Sequence, residues 1–133
     1  MLKITNTKPL VLVVDDQLEI AELLQTILED EDYTTLLCTE AQRVVEQVVL
    51  HHPDLLMLDV KMPVINGWQI LKELRKQPAT AQLPVIMMTA ASETLVEYRE
   101  ELSLYQAQIL LKPFNNLSMK SLVRNSIFMP KSL

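Results

Sequence analysis

The strongest constraint on the fold of this chain is a set of five short apolar runs, separated by longer segments of mixed composition. Four of the runs are continuously apolar, which is typical of strands buried on both faces of a parallel sheet. The second run is mixed and β-branched, which predicts a strand at the edge of the sheet. The five predicted strands are Leu10–Val14, Tyr33–Thr39, Leu55–Leu58, Val85–Met88 and Ile109–Leu111.

The segments between these runs carry apolar residues at helical spacing, so each predicts a helix with one buried face. The segment 92–103 has few apolar residues among many charges and predicts the least buried helix. Alternating strands and helices require right-handed crossovers, which predicts an α/β three-layer sandwich of (βα)5 order with helices on both faces of the sheet. The helical positions are Ile20, Leu23, Leu24, Ile27, Leu28, Ala41, Val44, Val45, Val48, Val49, Ile70, Leu71, Leu74, Met119, Leu122, Val123 and Ile127.

The length of the chain, 133 residues, suits one domain. We expect this domain to span residues 1–133, with a core over about residues 9–128 and short loose tails. Three helix starts show a short polar residue followed three positions later by Glu or Gln, which predicts a capping box at each. These pairs are Asp16 with Glu19, Thr39 with Gln42, and Asn66 with Gln69.

Glycine occurs once, at Gly67. A glycine-rich phosphate loop or dinucleotide-binding turn is therefore excluded, and any phosphate chemistry must rest on side chains. With a single glycine, we expect the turns to use Asn, Asp or Pro instead.

The charge balance and the single cysteine narrow the class of protein. Twelve basic residues against 17 acidic ones give a net charge of −5 with no basic stripe, which argues against nucleic acid as a direct partner. Cys38 alone forms neither an internal disulfide nor a thiolate metal site. The apolar runs are too short to cross a bilayer and no signal peptide is evident, so we expect a cytoplasmic protein without membrane insertion.

Polar residues follow four of the five predicted strands, and they are Asp15, Asp16, Asp59, Thr89 and Lys112. The carboxyl ends of parallel strands meet at one edge of the sheet, where ligands bind in open α/β folds. Two carboxylates about 5 Å apart repel by roughly 3 kcal/mol at an effective dielectric constant of ~20, so three of them either raise a pKa or recruit a cation. An all-oxygen site of this kind suits Mg²⁺, and a lysine suits a phosphoryl oxygen.

Each of these residues alone has an ordinary structural interpretation. Asp16 is equally a helix cap, Asp59 a turn residue, Thr89 a strand-end hydroxyl and Lys112 a solvated surface cation. Their coincidence at one edge of one predicted sheet favours a shared site.

Four segments resemble, in order and spacing, the receiver domain of two-component response regulators. They are VVDD (13–16), LLMLDVKMPVINGWQIL (55–71), PVIMMTA (84–90) and LLKPF (110–114), and the resemblance covers about residues 9–128. It implies a flavodoxin-like (βα)5 fold with strand order 2-1-3-4-5. Gly67 then matches the glycine that closes the loop after the third strand.

The resemblance also implies roles for the polar residues. Asp59 would be the phosphoacceptor, with Thr89 bonding the incoming phosphoryl group and Lys112 pairing with it. Mg²⁺, with Mn²⁺ as an alternative, would be bound by Asp59 and Asp16 directly, by Asp15 through water, and by the backbone carbonyl of Lys61. The Lys112–Pro113 bond would be cis.

A protein of this family is a signalling switch and not an enzyme that acts on other substrates. The implied phosphoryl donor is a sensor histidine kinase or a histidine phosphotransfer protein. Phosphorylation would change a surface that binds an unnamed target protein. We expect a stand-alone receiver that is a monomer or a weak homodimer and that promotes only its own phosphorylation and dephosphorylation.

One position departs from the family pattern. Receivers often carry Tyr or Phe three residues before the lysine of the fifth strand, and this chain has Ile109. Either the switch is weakened or a different residue, with Tyr105 nearby, reports phosphorylation. The alternative function is a receiver-like scaffold that binds partners without phosphorylation. A small Mg²⁺-dependent phosphatase is disfavoured because Lys61 stands where such enzymes place a second catalytic acid.

Two further features have structural interpretations. Trp68 is predicted to pack beside the third helix, and His51-His52 to end the second helix, where cations are favoured by the helix dipole.

Overall fold

The computed structural model describes residues 7–90 and 99–129, and five parallel strands form its single sheet. Their order is β2-β1-β3-β4-β5, as the resemblance implies, and the mixed second strand lies at an edge as predicted. The strands are β1 Leu10–Val14, β2 Thr34–Cys38, β3 Leu55–Asp59, β4 Val85–Thr89 and β5 Gln108–Leu111.

Helices cover both faces of this sheet, which confirms the three-layer flavodoxin-like architecture. They are α1 Leu18–Asp30, a 3₁₀ turn Ala41–Arg43 leading into α2 Val44–His51, α3 Gly67–Lys76, α4 Arg99–Tyr105 and α5 Asn116–Phe128. The predicted helix over 92–103 lies partly outside the described residues. Its described part, in α4, has no buried residue, in line with the prediction of a weakly buried helix. None of the helices in 7–90 and 99–129 combines the length and apolarity needed to cross a membrane.

Two apolar clusters, one on each face of the sheet, form the core. Successive residues of β1 alternate between them: Leu12 and Val14 pack with α2 and α3, whereas Val11 and Val13 pack with α1 and α5. Trp68 is 2% exposed and belongs to the α2/α3 cluster, as predicted. This two-sided burial explains why the central strands are continuously apolar.

One of the three predicted capping boxes is present. At α3, the Gln69 amide donates to Asn66 Oδ1 (3.0 Å) and the Asn66 amide donates to Gln69 Oε1 (2.9 Å). The boxes predicted from Asp16 and Thr39 are wrong, because the helical segments begin one residue later, after Gln17 and Glu40, without a side-chain cap.

The second helix ends where the sequence predicts. The last residue of α2 is His51, and His52 adopts a left-handed conformation whose amide donates to the Val48 carbonyl (2.9 Å).

The expectation that Asn, Asp or Pro would replace glycine in the turns is met at only one left-handed position, Asp32. Among the described residues, positive φ angles occur at Asp32 (66°), His52 (49°), Val64 (74°) and Gln106 (54°). Gly67 itself has no positive φ. The left-handed turns are therefore imposed by the connections between packed elements, even where the residue type disfavours them.

Gly67 is required by close packing. A Cβ atom at this position would lie 2.5 Å from the carbonyl oxygen of Asp59 and 3.0 Å from the Cα of Val60. The Gly67 amide donates to the Val60 carbonyl (2.8 Å), so the first turn of α3 rests directly on the backbone at the end of β3. Any side chain at this position must displace that backbone.

We therefore expect Gly67→Ala to destabilise the fold by about 1–3 kcal/mol, the usual cost of overpacking. Urea denaturation followed by circular dichroism measures the free energy of unfolding. Glu73→Ala, at an exposed position of the same helix, is the control and should change it by less than about 0.5 kcal/mol. Equal stability of the Gly67→Ala and control variants would contradict the packing argument.

Val64, unlike Gly67, has ample space but adopts a backbone conformation that its residue type disfavours. Its side chain is 80% exposed and its backbone is left-handed, a conformation that costs a β-branched residue about 1–2 kcal/mol. Val64→Asn should raise the free energy of unfolding by about 1 kcal/mol, since Asn tolerates this conformation. Val49→Asn, at an exposed apolar position within helix α2, should give no such gain. A thermal melt that shows no stabilisation by Val64→Asn, or equal stabilisation by both variants, would show that Val64 is unstrained.

Candidate functional site

Three carboxylates meet at the carboxyl edge of the sheet. Asp15 and Asp16 follow β1, and Asp59 ends the neighbouring strand β3. One carboxylate oxygen from each residue lies within 4.8 Å of the other two. Asp15 and Asp59 are buried and Asp16 is exposed, so the cluster opens to solvent on the Asp16 side.

Lys112, directly after β5, reaches into this cluster. Its Nζ lies 2.6 Å from Asp15 Oδ2 and 3.4 Å from Asp59 Oδ1. The remaining oxygen of Asp15, Oδ1, accepts a hydrogen bond from the Gln17 amide (3.0 Å). Asp15 therefore bonds both to the start of α1 and to Lys112, which follows the edge strand β5.

Thr89 ends β4, the strand that lies between β3 and β5. It is buried, and its carbonyl accepts a hydrogen bond from the Lys112 amide (2.8 Å), so the two residues are held at the same edge. Lys61 lies two residues beyond β3 and is exposed. Thr89 is thus brought to the site by strand register, whereas the roles predicted for its hydroxyl and for the Lys61 carbonyl stay predictions.

The Lys112–Pro113 peptide bond is cis, as the resemblance implies. It follows the residue whose side chain enters the acidic cluster.

The environment of Asp59 disfavours its charged form. Burial, and then the neighbouring Asp15 carboxylate, raise the pKa of Asp59 to about 6, while Lys112 acts in the opposite direction. This is the outcome expected when carboxylates are crowded away from water. At neutral pH most Asp59 side chains are still ionised and able to act as nucleophiles.

The acidic cluster has the chemistry of a divalent-cation site. Three carboxylates and one ammonium leave a formal charge of −2, and all the available ligand atoms are oxygens. Hard cations prefer such ligands, and the exposed Asp16 side leaves room for water in the coordination shell. Asp15, Asp16 and Asp59 could therefore hold a metal ion.

Sequence reasoning missed two features of this site. It predicted Lys112 as a partner of a phosphoryl group but not its short contact with Asp15, because no sequence signal indicates how far a lysine side chain reaches across a sheet. It also gave Gly67 only as the glycine that closes the loop after the third strand, whereas the structure uses it for close approach to Asp59.

Tyr105 ends α4, and its carbonyl accepts a hydrogen bond from Arg75 Nε (2.8 Å) at the amino edge of the sheet. Thr89 ends β4 at the carboxyl edge. A readout of phosphorylation through Tyr105 stays a prediction. Ile109, in β5, packs against the α2/α3 cluster.

Comparison with known proteins gives a consistent result. The family model described as the response regulator receiver domain matches residues 11–124. The regulatory protein VanRc of Enterococcus gallinarum is 34% identical over 117 residues, which cover 88% of this chain and 49% of that protein. The alkaline phosphatase synthesis transcriptional regulatory protein PhoP of Bacillus subtilis is 32% identical over 122 residues, covering 87% of this chain and 49% of that protein.

Solved structures show the same architecture. The chemotaxis protein CheY4 of Vibrio cholerae superposes with a TM-score of 0.81 at 25% identity, covering 90% of this chain and 99% of that chain. The present chain spans about half the length of the curated relatives it matches.

The raised pKa of Asp59 predicts a specific pH dependence of stability. In metal-free buffer, the folded state binds the Asp59 proton more tightly than the unfolded state, whose pKa lies near 3.8. The resulting stabilisation is complete below about pH 4 and is lost as the pH rises through 6. Urea denaturation at several pH values should show the wild type losing roughly 2 kcal/mol relative to Asp59→Asn between pH 4.5 and 7.5, since one pKa unit corresponds to about 1.4 kcal/mol.

The Asp59→Asn variant corrects for the titration of all other carboxylates. A constant difference between the two proteins across this range would mean that the Asp59 pKa is not raised.

Proposed function

Since this chain belongs to the response regulator receiver family of two-component signalling, we propose that Asp59 accepts a phosphoryl group from a phosphohistidine donor. The observation that carries the proposal is the buried Asp59 carboxylate, 3.4 Å from the ammonium of Lys112 and within a cluster of two further carboxylates. Such a carboxylate is a nucleophile whose charge is already partly countered, and it lies beside the exposed Asp16, where the cluster opens to solvent.

In the proposed reaction, an oxygen of ionised Asp59 attacks phosphorus. The new O–P bond forms as the P–N bond to the donor imidazole breaks, and the electron pair of that bond remains on the imidazole nitrogen. Phosphoryl transfer depends mainly on positioning and charge neutralisation. A pKa of about 6 keeps Asp59 mostly ionised at neutral pH, as the attack requires.

Mg²⁺, with Mn²⁺ as an alternative, would be held by Asp16, Asp59 and the Lys61 carbonyl, and by Asp15 through water. When bound, such a cation neutralises charge on phosphoryl oxygens. The pairing of β1 with β3 and the ammonium of Lys112 hold the three carboxylates close together, so the ligand oxygens are already gathered before any ion arrives.

Lys112 is proposed to change partners on phosphorylation. In the unmodified protein its ammonium contacts Asp15 at 2.6 Å more closely than Asp59 at 3.4 Å. A phosphoryl group on Asp59 would present new anionic oxygens to Lys112 and to the hydroxyl of Thr89 at the end of the neighbouring strand. Movement of these two residues would carry the change into β4 and β5.

In this proposal, a change at Thr89 reaches a binding surface without the aromatic ring that many receivers carry three residues before the lysine of the fifth strand. Ile109 stands at that position, packed against the core. We infer that the change is transmitted by displacement of the strand ends and of the Thr89–Lys112 backbone contact. The proposed phosphoryl donor is a sensor histidine kinase or a histidine phosphotransfer protein. Binding of a target protein, the cytoplasmic location and the state as a monomer or weak homodimer stay predictions.

The net charge of this chain argues against direct binding of nucleic acid, but the names of its relatives limit that prediction to this chain. PhoP is called a transcriptional regulatory protein, and this chain covers about half of it. The prediction of no direct nucleic-acid contact concerns the residues of this chain and does not extend to the output of a longer protein.

The alternative function, a scaffold that binds partners without phosphorylation, is favoured by one observation, which is the aliphatic Ile109. The acidic cluster opposes it, because three crowded carboxylates are a cost that a passive scaffold has no reason to retain.

Phosphorylation by a small acyl-phosphate donor distinguishes the two functions. With acetyl phosphate and Mg²⁺, intact-mass spectrometry should show one added phosphoryl group on the wild type and none on Asp59→Asn. Asp54→Asn alters an exposed carboxylate beside the other end of the same strand and is the matched control, which should be modified like the wild type. The added group should be released by hydroxylamine, as an acyl phosphate requires.

Modification of Asp59→Asn to the same extent as the wild type would contradict the proposed acceptor. No added mass on the wild type, with Mg²⁺ binding demonstrated by a change in Trp68 fluorescence, would favour the scaffold.

A further inference from the structure

A cleft lies at the amino edge of the sheet, opposite the acidic cluster. It is bordered by the starts of β4 and β5 and by the helices α3, α4 and α5. Its volume is about 560 Å³, within the range of roughly 300–1,000 Å³ typical of small-molecule sites. The strands are four or five residues long, which separates this cleft from the acidic cluster by about 15 Å at ~3.3 Å per residue. The cleft is therefore a different site from the proposed phosphorylation site.

Among the described residues, Arg75, in the last turn of α3, is the one charged residue that lines this cleft. Its Nε donates to the Tyr105 carbonyl (2.8 Å) and its Nη1 to the Thr80 carbonyl (3.3 Å). A guanidinium has five N–H donors, so both hydrogens of Nη2 and one of Nη1 remain. Within residues 7–90 and 99–129, no carboxylate oxygen lies within 4.0 Å of the guanidinium.

The two carbonyls satisfy hydrogen bonds of Arg75 but do not neutralise its charge. Burial removes water from around the guanidinium and lowers its pKa. In a protein with a net charge of −5, a cation in a cleft that has no acidic lining residue within 7–90 and 99–129 is a local positive site. A carboxylate matches the planar edge of a guanidinium through two parallel hydrogen bonds.

The walls of the cleft combine apolar and polar side chains. Leu83 and Val85 lie on one side, and Leu102 and Leu122 come from α4 and α5. A polar group is available as well: the Ser126 hydroxyl is buried in the wall and has no hydrogen-bond partner in the part of the chain that the structure describes. The further polar lining residues are Gln82, Gln106, Gln108 and Asn125.

From this combination we propose that the cleft binds a small organic anion, in which a carboxylate is attached to a short apolar body. Arg75 takes the carboxylate through its remaining N–H donors, and the leucines contact the apolar body. Simple bridging of two turns by Arg75 would explain its bonds to Tyr105 and Thr80. It would not explain the missing counter-charge or the open volume beside it.

A titration of the ¹⁵N-labelled full chain with 4-methylpentanoate at pH 7 tests the proposal. We expect saturable chemical-shift changes at the amides of Leu102, Gln106 and Ser126. The uncharged 4-methylpentanamide should bind at least about tenfold more weakly, and inorganic phosphate, which lacks the apolar body, should also bind more weakly. No saturable change, or equal binding of the acid and either comparison compound, would overturn the proposal.

Variants separate ligand binding from simple bridging. Arg75→Met should weaken carboxylate binding at least about tenfold, whereas Arg124→Met, which removes an exposed cation outside the cleft, should leave it unchanged. If Arg75→Met does not fold, Ala81→Phe provides the second test, since it fills the cleft from its wall and leaves Arg75 in place. A folded variant of either kind that binds the carboxylate as the wild type does would contradict the proposal.

Discussion

The repulsion among three carboxylates at one edge of the sheet is the constraint that organises this molecule. Asp15, Asp59 and Asp16 are brought within 4.8 Å because β1 and β3 are neighbours that end together. The ammonium of Lys112, 2.6 Å from Asp15, offsets part of this repulsion across the width of the sheet. Burial, together with the remaining negative charge, raises the pKa of Asp59 to about 6, and the negative charge makes the edge receptive to a cation.

The backbone around this edge is also closely packed. Gly67 lets α3 rest on the carbonyl of Asp59, which leaves no space for a side chain. The loop that joins them places Val64 in a left-handed conformation, exposed to solvent. Both features follow from one requirement: the chain must leave β3 and enter α3 within a few residues without moving Asp59.

The two edges of the sheet hold different kinds of site. The carboxyl edge gathers three carboxylates, and the amino edge presents Arg75 in a cleft of about 560 Å³ that has no acidic lining residue within 7–90 and 99–129. Both sites are held by contacts distant in sequence, Lys112 with Asp15 at one edge and Arg75 with Tyr105 at the other. The parallel sheet thus provides two separate places where side chains from several strands and helices meet.

The sequence by itself determined the five strands, the edge position of β2 and the polar residues at the carboxyl ends of β1, β3, β4 and β5, because apolar periodicity and strand-end position are local properties of the chain. It also determined the Asn66–Gln69 cap, which depends on residues three positions apart. Only the tertiary structure decided that Lys112 contacts Asp15, that Arg75 bonds to the Tyr105 carbonyl, that Val64 is left-handed and that Gly67 has no room for a Cβ atom. Each of these depends on atoms far apart in sequence or on how packed elements are joined, and residue type alone carries no such distances.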